Sequence, residues 1–136
     1  MRKISFITVL VLVLSILSSC SSYAPNEVLY VYNWGEYIDS SVNDMFEEEY
    51  GIKVIYDEYD NNESMYASLK NGAAKYDIVF PSDYMVSRLI SVDMIEPLNF
   101  DNIPNYKYIM DRFKGLDYDP DEMYSVPYMW GTICLL

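Results

Sequence analysis

Val28-Leu29-Tyr30-Val31-Tyr32-Asn33-Trp34 opens the part of the chain that reads as a folded domain. β-Branched and aromatic residues fill five of its seven positions, which predicts a strand. Beyond it, Ser40 or Ser41 can cap a helix whose Val42, Met45, Phe46 and Tyr50 fall at helical spacing before Gly51 stops it. Glu47, Glu48 and Glu49 fill the solvated face. Lys53–Glu58 reads as a second strand, and Asn62 can cap a short helix through Met65, Tyr66 and Leu69 that ends near Gly72. Tyr76–Phe80 is a third strand closed by Pro81, and Tyr84–Ser91 is helical, with Met85, Leu89 and Val92 apolar. This β-α-β-α-β order predicts an α/β fold: a parallel-rich sheet with right-handed crossovers and flanking helices. Ligands of such sheets bind beyond the carboxyl ends of the strands, where strand order reverses. A 2-1-3 order would set the loops after strands one and three side by side.

Downstream the signals weaken. Ile95–Leu98 reads as a short extended piece, Asn105–Phe113 as a helix and Asp117–Glu122 as an acidic loop. Tyr124–Pro127 and Thr132–Leu136 look extended, and Cys134 in the last run reads as a small buried hydrophobe. Upstream, Arg2 and Lys3 precede Ile4–Leu17, a run of 14 residues of which 11 are apolar, followed by Leu17-Ser18-Ser19-Cys20. A basic start, a short apolar run and small residues before a cleavage point make a secretory leader. The run is short of the roughly 20 residues of a membrane span. Leu17–Cys20 resembles the lipobox of bacterial lipoproteins, which implies residues 1–19 as a signal peptide and lipidation of Cys20. Residues 20–26 then read as a lipid-anchored tether, and 27–136 as the folded unit. The mature chain is expected outside the cytoplasm, held to a membrane.

Composition narrows the function. The chain carries 9 basic against 21 acidic residues and no histidine, a net charge of -12 over 136 residues. Arg2 and Lys3 lie in the leader, so cleavage deepens the deficit. Such charge repels phosphate backbones and argues against a nucleic-acid partner. Without histidine the commonest metal ligand and the commonest general base are absent, and the two cysteines suit neither a zinc site nor a disulfide scaffold. No cofactor or metal is expected. Acidic chains of low hydrophobicity stay disordered, but this one is 51% hydrophobic and holds 15 tyrosines, enough for one core.

Two loops carry the candidate chemistry: Asn33-Trp34-Gly35-Glu36-Tyr37 after strand one, and Pro81-Ser82-Asp83-Tyr84 after strand three. Aromatic faces attract cations through the ring quadrupole, and a carboxylate adds a charge-assisted hydrogen bond to an ammonium. Together they suit an organic cation with methylene spacers. Each residue alone has a plainer explanation. Trp34 can end a strand in the core, Tyr37 and Tyr84 can be half-exposed tyrosines, and Glu36 and Asp83 can be solvated acids.

At these residues the chain resembles the amino-terminal lobe of the spermidine/putrescine-binding proteins, the receptors of polyamine ABC transporters. The matching pieces are Leu29–Tyr37, Gly51–Tyr56, Asn62–Ala67, Tyr76–Tyr84 and Ser125–Gly131, in the family's order. The resemblance implies a periplasmic-binding-protein type II-like lobe, with the second lobe missing and the chain ending near the lobe crossover. It implies that Trp34 and Tyr37 stack on the polyamine, that Glu36 binds a terminal amine, and that Ser82 and Tyr84 contribute from the second loop. Gly35 stands where some members carry a small hydroxyl residue, and Asp83 where some are uncharged. Asp83 either adds an acid to the site or faces water. The roles of Glu63 and Trp130 stay open: a helix-start acid and a packing residue are the plainer readings. The implied partners are a polyamine, an ABC transporter permease and, through Cys20, the membrane.

With one lobe, weak ligand binding, an unpaired sheet edge and uncovered apolar surface are expected. No nucleophile–base pair appears, so a binding role is expected and not an enzyme. Competing readings are a receptor for another cationic amine, a surface lipoprotein with an adhesion or interaction role, and an inactive remnant.

Overall fold

The computed structural model describes residues 27–72 and 75–131. The leader, Cys20, the tether, Cys134 and the Thr132–Leu136 run lie outside the described residues. Three strands, β1 (Val28–Trp34), β2 (Lys53–Tyr59) and β3 (Ile78–Val79), form one sheet in the order β2-β1-β3. Both pairings are parallel, with Val28 opposite Lys53, Trp34 opposite Tyr59, and Val31 opposite Ile78. The chain therefore steps back over β1 to reach β3, and the reversal point lies at the carboxyl end of β1. The third strand is shorter than its sequence run. Its pairing continues on either side, as Asp77 N–H donates to the Tyr30 carbonyl and Phe80 N–H to that of Tyr32.

Helices α1 (Ser40–Tyr50), α2 (Asn62–Lys70) and α3 (Asp83–Ser91) connect and cover the strands. α1 and α2 begin at the residues expected as caps, so the caps themselves stand one residue earlier. Asp39, not a serine, caps α1, and its carboxylate accepts from Ser41 N–H at 2.9 Å and from Ser41 Oγ at 2.7 Å. Asn61, not Asn62, caps α2 through Ser64 N–H at 2.8 Å. Gly51 ends α1 at φ 68°, where its N–H reaches the Glu47 carbonyl. That left-handed turn suits a residue without a Cβ.

The core lies between α2, α3 and one face of the sheet. Tyr32, Tyr59, Met65, Met85 and Leu89 are its buried residues. Tyr32 stacks on Tyr76 at 4.3 Å and meets Tyr59 edge-on at 4.9 Å. Burial pushes the Tyr76 phenol up to about 12, aided by its hydrogen bond to the Asp57 carboxylate at 2.9 Å. Several of the tyrosines are thus packing residues whose hydroxyls reach polar partners at the edge of the core.

The apolar stripe of α1 is a different matter. No residue of α1 is buried, and Val42 and Met45 remain 44% and 66% exposed. Ile78 of β3 is also exposed. Among the described residues Val42 and Met45 are left exposed as apolar surface.

After α3 the chain forms no long helix. Asn105–Phe113, expected to be helical, is a series of 3-10 turns at Pro104–Tyr108 and Asp111–Phe113. None of its side chains is buried, so no packed face stabilises a longer helix. Tyr124–Pro127 joins no strand, but Leu98 N–H reaches the Met123 carbonyl at 2.7 Å. Asp119, 5% exposed, organises this stretch. Its carboxylate accepts from Met123, Tyr124 and Ser125 N–H and from Ser125 Oγ, all at 2.8–3.1 Å.

Candidate functional site

The parallel register carries the ends of β1 and β3 to the same edge of the sheet. Trp34 closes β1, and its Nε1 donates to the Phe80 carbonyl at 2.8 Å, just beyond β3. The Tyr59 hydroxyl donates to the same carbonyl. One backbone oxygen thus anchors the last aromatic residues of two strands. Burial, with Tyr37 and Tyr32 close by, holds the Tyr59 phenol well above its usual range, so it is protonated and can donate. Tyr37 stacks against Trp34 at 5.9 Å and 29°, and the Trp34 ring also leans on Tyr59 at 4.8 Å. Trp34 is half-buried and Tyr37 is exposed. The pair therefore presents an aromatic wall that is fixed from behind and open in front.

Glu36 lies between them at φ 61°. A left-handed backbone costs a non-glycine residue about 1–2 kcal/mol. Residues so held cluster at functional sites. Its exposed carboxylate makes no hydrogen bond within the described residues. Gly35 stays close to Glu58: a Cβ there would lie 3.6 Å from Glu58 Oε2.

The second loop is tied down from α2. Ser82 N–H donates to Asn62 Oδ1 at 3.2 Å, and Asn62 Nδ2 donates to the Tyr84 hydroxyl at 3.0 Å. That hydroxyl donates in turn to Glu63 Oε1 at 3.0 Å. Ser82 starts α3 without a side-chain cap bond, which leaves its hydroxyl uncommitted among the described residues. Asp83 is exposed, and its Oδ1 accepts from Tyr84 N–H at 2.7 Å. It thereby faces the start of α3, and its charge helps burial to raise the nearby Tyr118 phenol.

The six residues predicted for the site lie at the end of β1 and the turn after it (Trp34, Glu36, Tyr37) and at the cap and first turn of α3 (Ser82, Asp83, Tyr84). Trp34 is tied to the Phe80 carbonyl, two residues before Ser82, and Asn62 ties Ser82 to Tyr84 within the second group. Four further contributors escaped the sequence reading: Tyr59, Asn62, Phe80 and Tyr128. Tyr128 packs edge-on against Phe80 at 5.1 Å, and its hydroxyl donates to the Tyr37 carbonyl at 2.8 Å. Tyr59 was legible, since it continues the two-residue alternation of Ile55 and Asp57 one step past the predicted strand end. Asn62 was read as a cap, and nothing local marks its reach to the second loop.

The helix N-termini of α1, α2 and α3 point to this edge, because parallel strands place them there. Their partial positive charge opposes a cation. Glu63 and Asp83 occupy the first turns of α2 and α3 and offset it. The basic residues of this half of the chain stand elsewhere: Lys53 begins β2, Lys70 ends α2, Lys75 precedes β3, and Arg88 lies in the last turn of α3 over the Tyr66 ring at 4.0 Å. Among the described residues no group of three His, Cys, Asp or Glu side chains could hold a metal. No helix among them is long and apolar enough to cross a membrane.

An α/β lobe with its open aromatic and acidic edge at the strand reversal defines a solute-binding architecture. The family model described as bacterial extracellular solute-binding protein matches residues 42–136, and the chain belongs to that family. It is 38% identical over 120 residues to the spermidine/putrescine-binding periplasmic protein of Salmonella typhimurium, covering 86% of this chain and 34% of that protein. It is 41% identical over 112 residues to the putrescine-binding periplasmic protein SpuD of Pseudomonas aeruginosa, covering 81% and 30%. Among solved structures it resembles the spermidine/putrescine substrate-binding protein PotD of Streptococcus pneumoniae, with a TM-score of 0.75, 40% identity and coverage of 77% and 32%. The TpPotD lipoprotein of Treponema pallidum matches with a TM-score of 0.71 at 40% identity, covering 76% and 33%. The chain spans about a third of the length of the relatives it matches.

Proposed function

We propose that this chain supplies one side of the polyamine site of an extracytoplasmic solute-binding protein that serves an ABC transporter permease. The observation that carries this reading is the fixed Trp34–Tyr37 wall with the strained, unpartnered Glu36 beside it. The wall suits methylene segments and the carboxylate suits a terminal ammonium. Ser82 and Tyr84 contribute hydroxyl and ring from the neighbouring loop. Asp83 adds charge to the edge without meeting the ligand, since its carboxylate turns to the α3 backbone. The acidic net charge steers cations toward the protein. The names of the relatives, which bind spermidine or putrescine, support the ligand class.

In this reading residues 1–19 are the leader, Cys20 is the lipidated first residue, and 20–26 tether the lobe of 27–136 to the membrane. The lipobox-like Leu17–Cys20 supports the anchor, as does the relative titled a lipoprotein. The chain acts by binding, and the site contains no nucleophile–base pair. Contacts from a single side of the ligand give affinity on the order of millimolar.

The test is a titration of the full chain, in mild detergent, with spermidine, putrescine and monoamines. Tryptophan fluorescence and the melting temperature are followed together. Polyamines should perturb Trp34 and raise the melting temperature, and Trp34→Ala should remove both responses. Submicromolar affinity would refute the one-sided site, and an unchanged response in Trp34→Ala would refute the site itself.

A further inference from the structure

Asn62 is polar, yet only 3% exposed. A buried amide is costly unless both of its ends are bonded. Its Oδ1 accepts from Ser82 N–H and its Nδ2 donates to the Tyr84 hydroxyl. Glu63, the next residue, accepts the proton of that hydroxyl. Consecutive residues of α2 therefore hold both ends of Ser82-Asp83-Tyr84. The helix that bears them is seated by Met65, which is fully buried. With its single proton committed to Glu63, the Tyr84 hydroxyl cannot donate elsewhere, and the 53% of Tyr84 that remains exposed offers ring surface to a ligand.

We propose that Asn62 and Glu63 are positioning residues for the amine site: they pin the Tyr84 ring in the orientation that receives the ligand. Glu63 acts through the Tyr84 hydroxyl and not as a charge on the ligand. This inference rests on the amine-binding reading above.

The test uses the full chain in mild detergent, with ring-labelled tyrosine and tryptophan followed by NMR during spermidine titration. Glu63→Ala should raise Kd about fivefold, the weight of one hydrogen bond. Glu63→Gln keeps a carbonyl acceptor and should stay within about twofold of the parent. Tyr84→Phe loses the bonds to both Asn62 and Glu63 and should cost at least as much as Glu63→Ala; the double variant should cost no more than Tyr84→Phe, because the Glu63 bond runs through the hydroxyl already removed. Glu63 is exposed, so the melting temperature of Glu63→Ala should match the parent. Additive losses, or a Glu63→Gln as weak as Glu63→Ala, would overturn the proposal and make Glu63 a direct charge. If the parent binds, Trp34→Ala abolishes binding and Glu63→Ala changes nothing, the positioning role fails while the amine site stands. If spermidine moves no resonance of the parent, both fail.

Discussion

Asp119 offers a quantitative check on how the segment that covers the site is held. Asp119→Asn replaces one carboxylate oxygen by an amide that faces donors instead of accepting from them. In the parent, one oxygen takes Met123 N–H, and the other takes Tyr124 N–H, Ser125 N–H and Ser125 Oγ. The amide turns its oxygen to the side with three donors, so the variant loses the Met123 bond and the charge that strengthens the other three. Tyr124 and Ser125 are half-buried, so water recovers part of the loss. With a bond to a charged group at about 1.5–3 kcal/mol, the loss is about 2 kcal/mol. For a domain of this size that corresponds to a fall in Tm of ~8 °C. The loss should depend on pH in a definite direction. Burial pushes the Asp119 carboxyl up, but the bonds from Tyr124, Ser125 and Met123 outweigh it and hold it below its ordinary 3.8. A depressed carboxyl stabilises the fold fully above its unfolded pKa and loses that effect as pH falls through its folded value. Circular-dichroism melts of both chains should therefore show the full gap at neutral pH and a shrinking gap below ~4. A gap that is absent at neutral pH, or constant down to ~3, would refute the reasoning. Since Tyr128 reaches the Tyr37 carbonyl from the end of this segment, the variant should also loosen the aromatic wall.

Other substitutions probe the remaining levels of the structure. Met65→Ala empties a fully buried position beneath α2; it should cost about 2–5 kcal/mol and broaden or abolish the thermal transition, whereas an unchanged melt would deny the core its place. Asn61→Ala removes the α2 cap bond to Ser64 N–H, for about 1 kcal/mol in urea titration, and no measurable change would mean that tertiary contacts alone hold the helix end. Cys20→Ser should move the expressed protein from the membrane fraction to the soluble one, and persistent membrane association would show that something other than a lipid on Cys20 retains it.

Val42 and Met45 on α1 and Ile78 on β3 are exposed apolar residues that offer surface for self-association.

Local sequence determined the elements whose physics is local. Alternating β-branched and aromatic residues in Val28–Trp34 and Lys53–Glu58 specify strands wherever they are buried. Gly51 stops α1 because its left-handed turn excludes most side chains. The candidate site residues were legible because two aromatic–acidic stretches follow two strand patterns. Sheet order, however, is a global property, and only the folded chain shows β3 beside β1. The roles of the tyrosines were equally open. Tyr32 and Tyr76 pack inward while Tyr37 and Tyr84 stay accessible, and composition cannot separate them because the same ring serves either environment. Asn62 shows the reason most clearly. As a residue type it reads as a helix cap, but its amide joins α2 to a loop 20 positions onward, and such a bond exists only after the sheet has brought the two together.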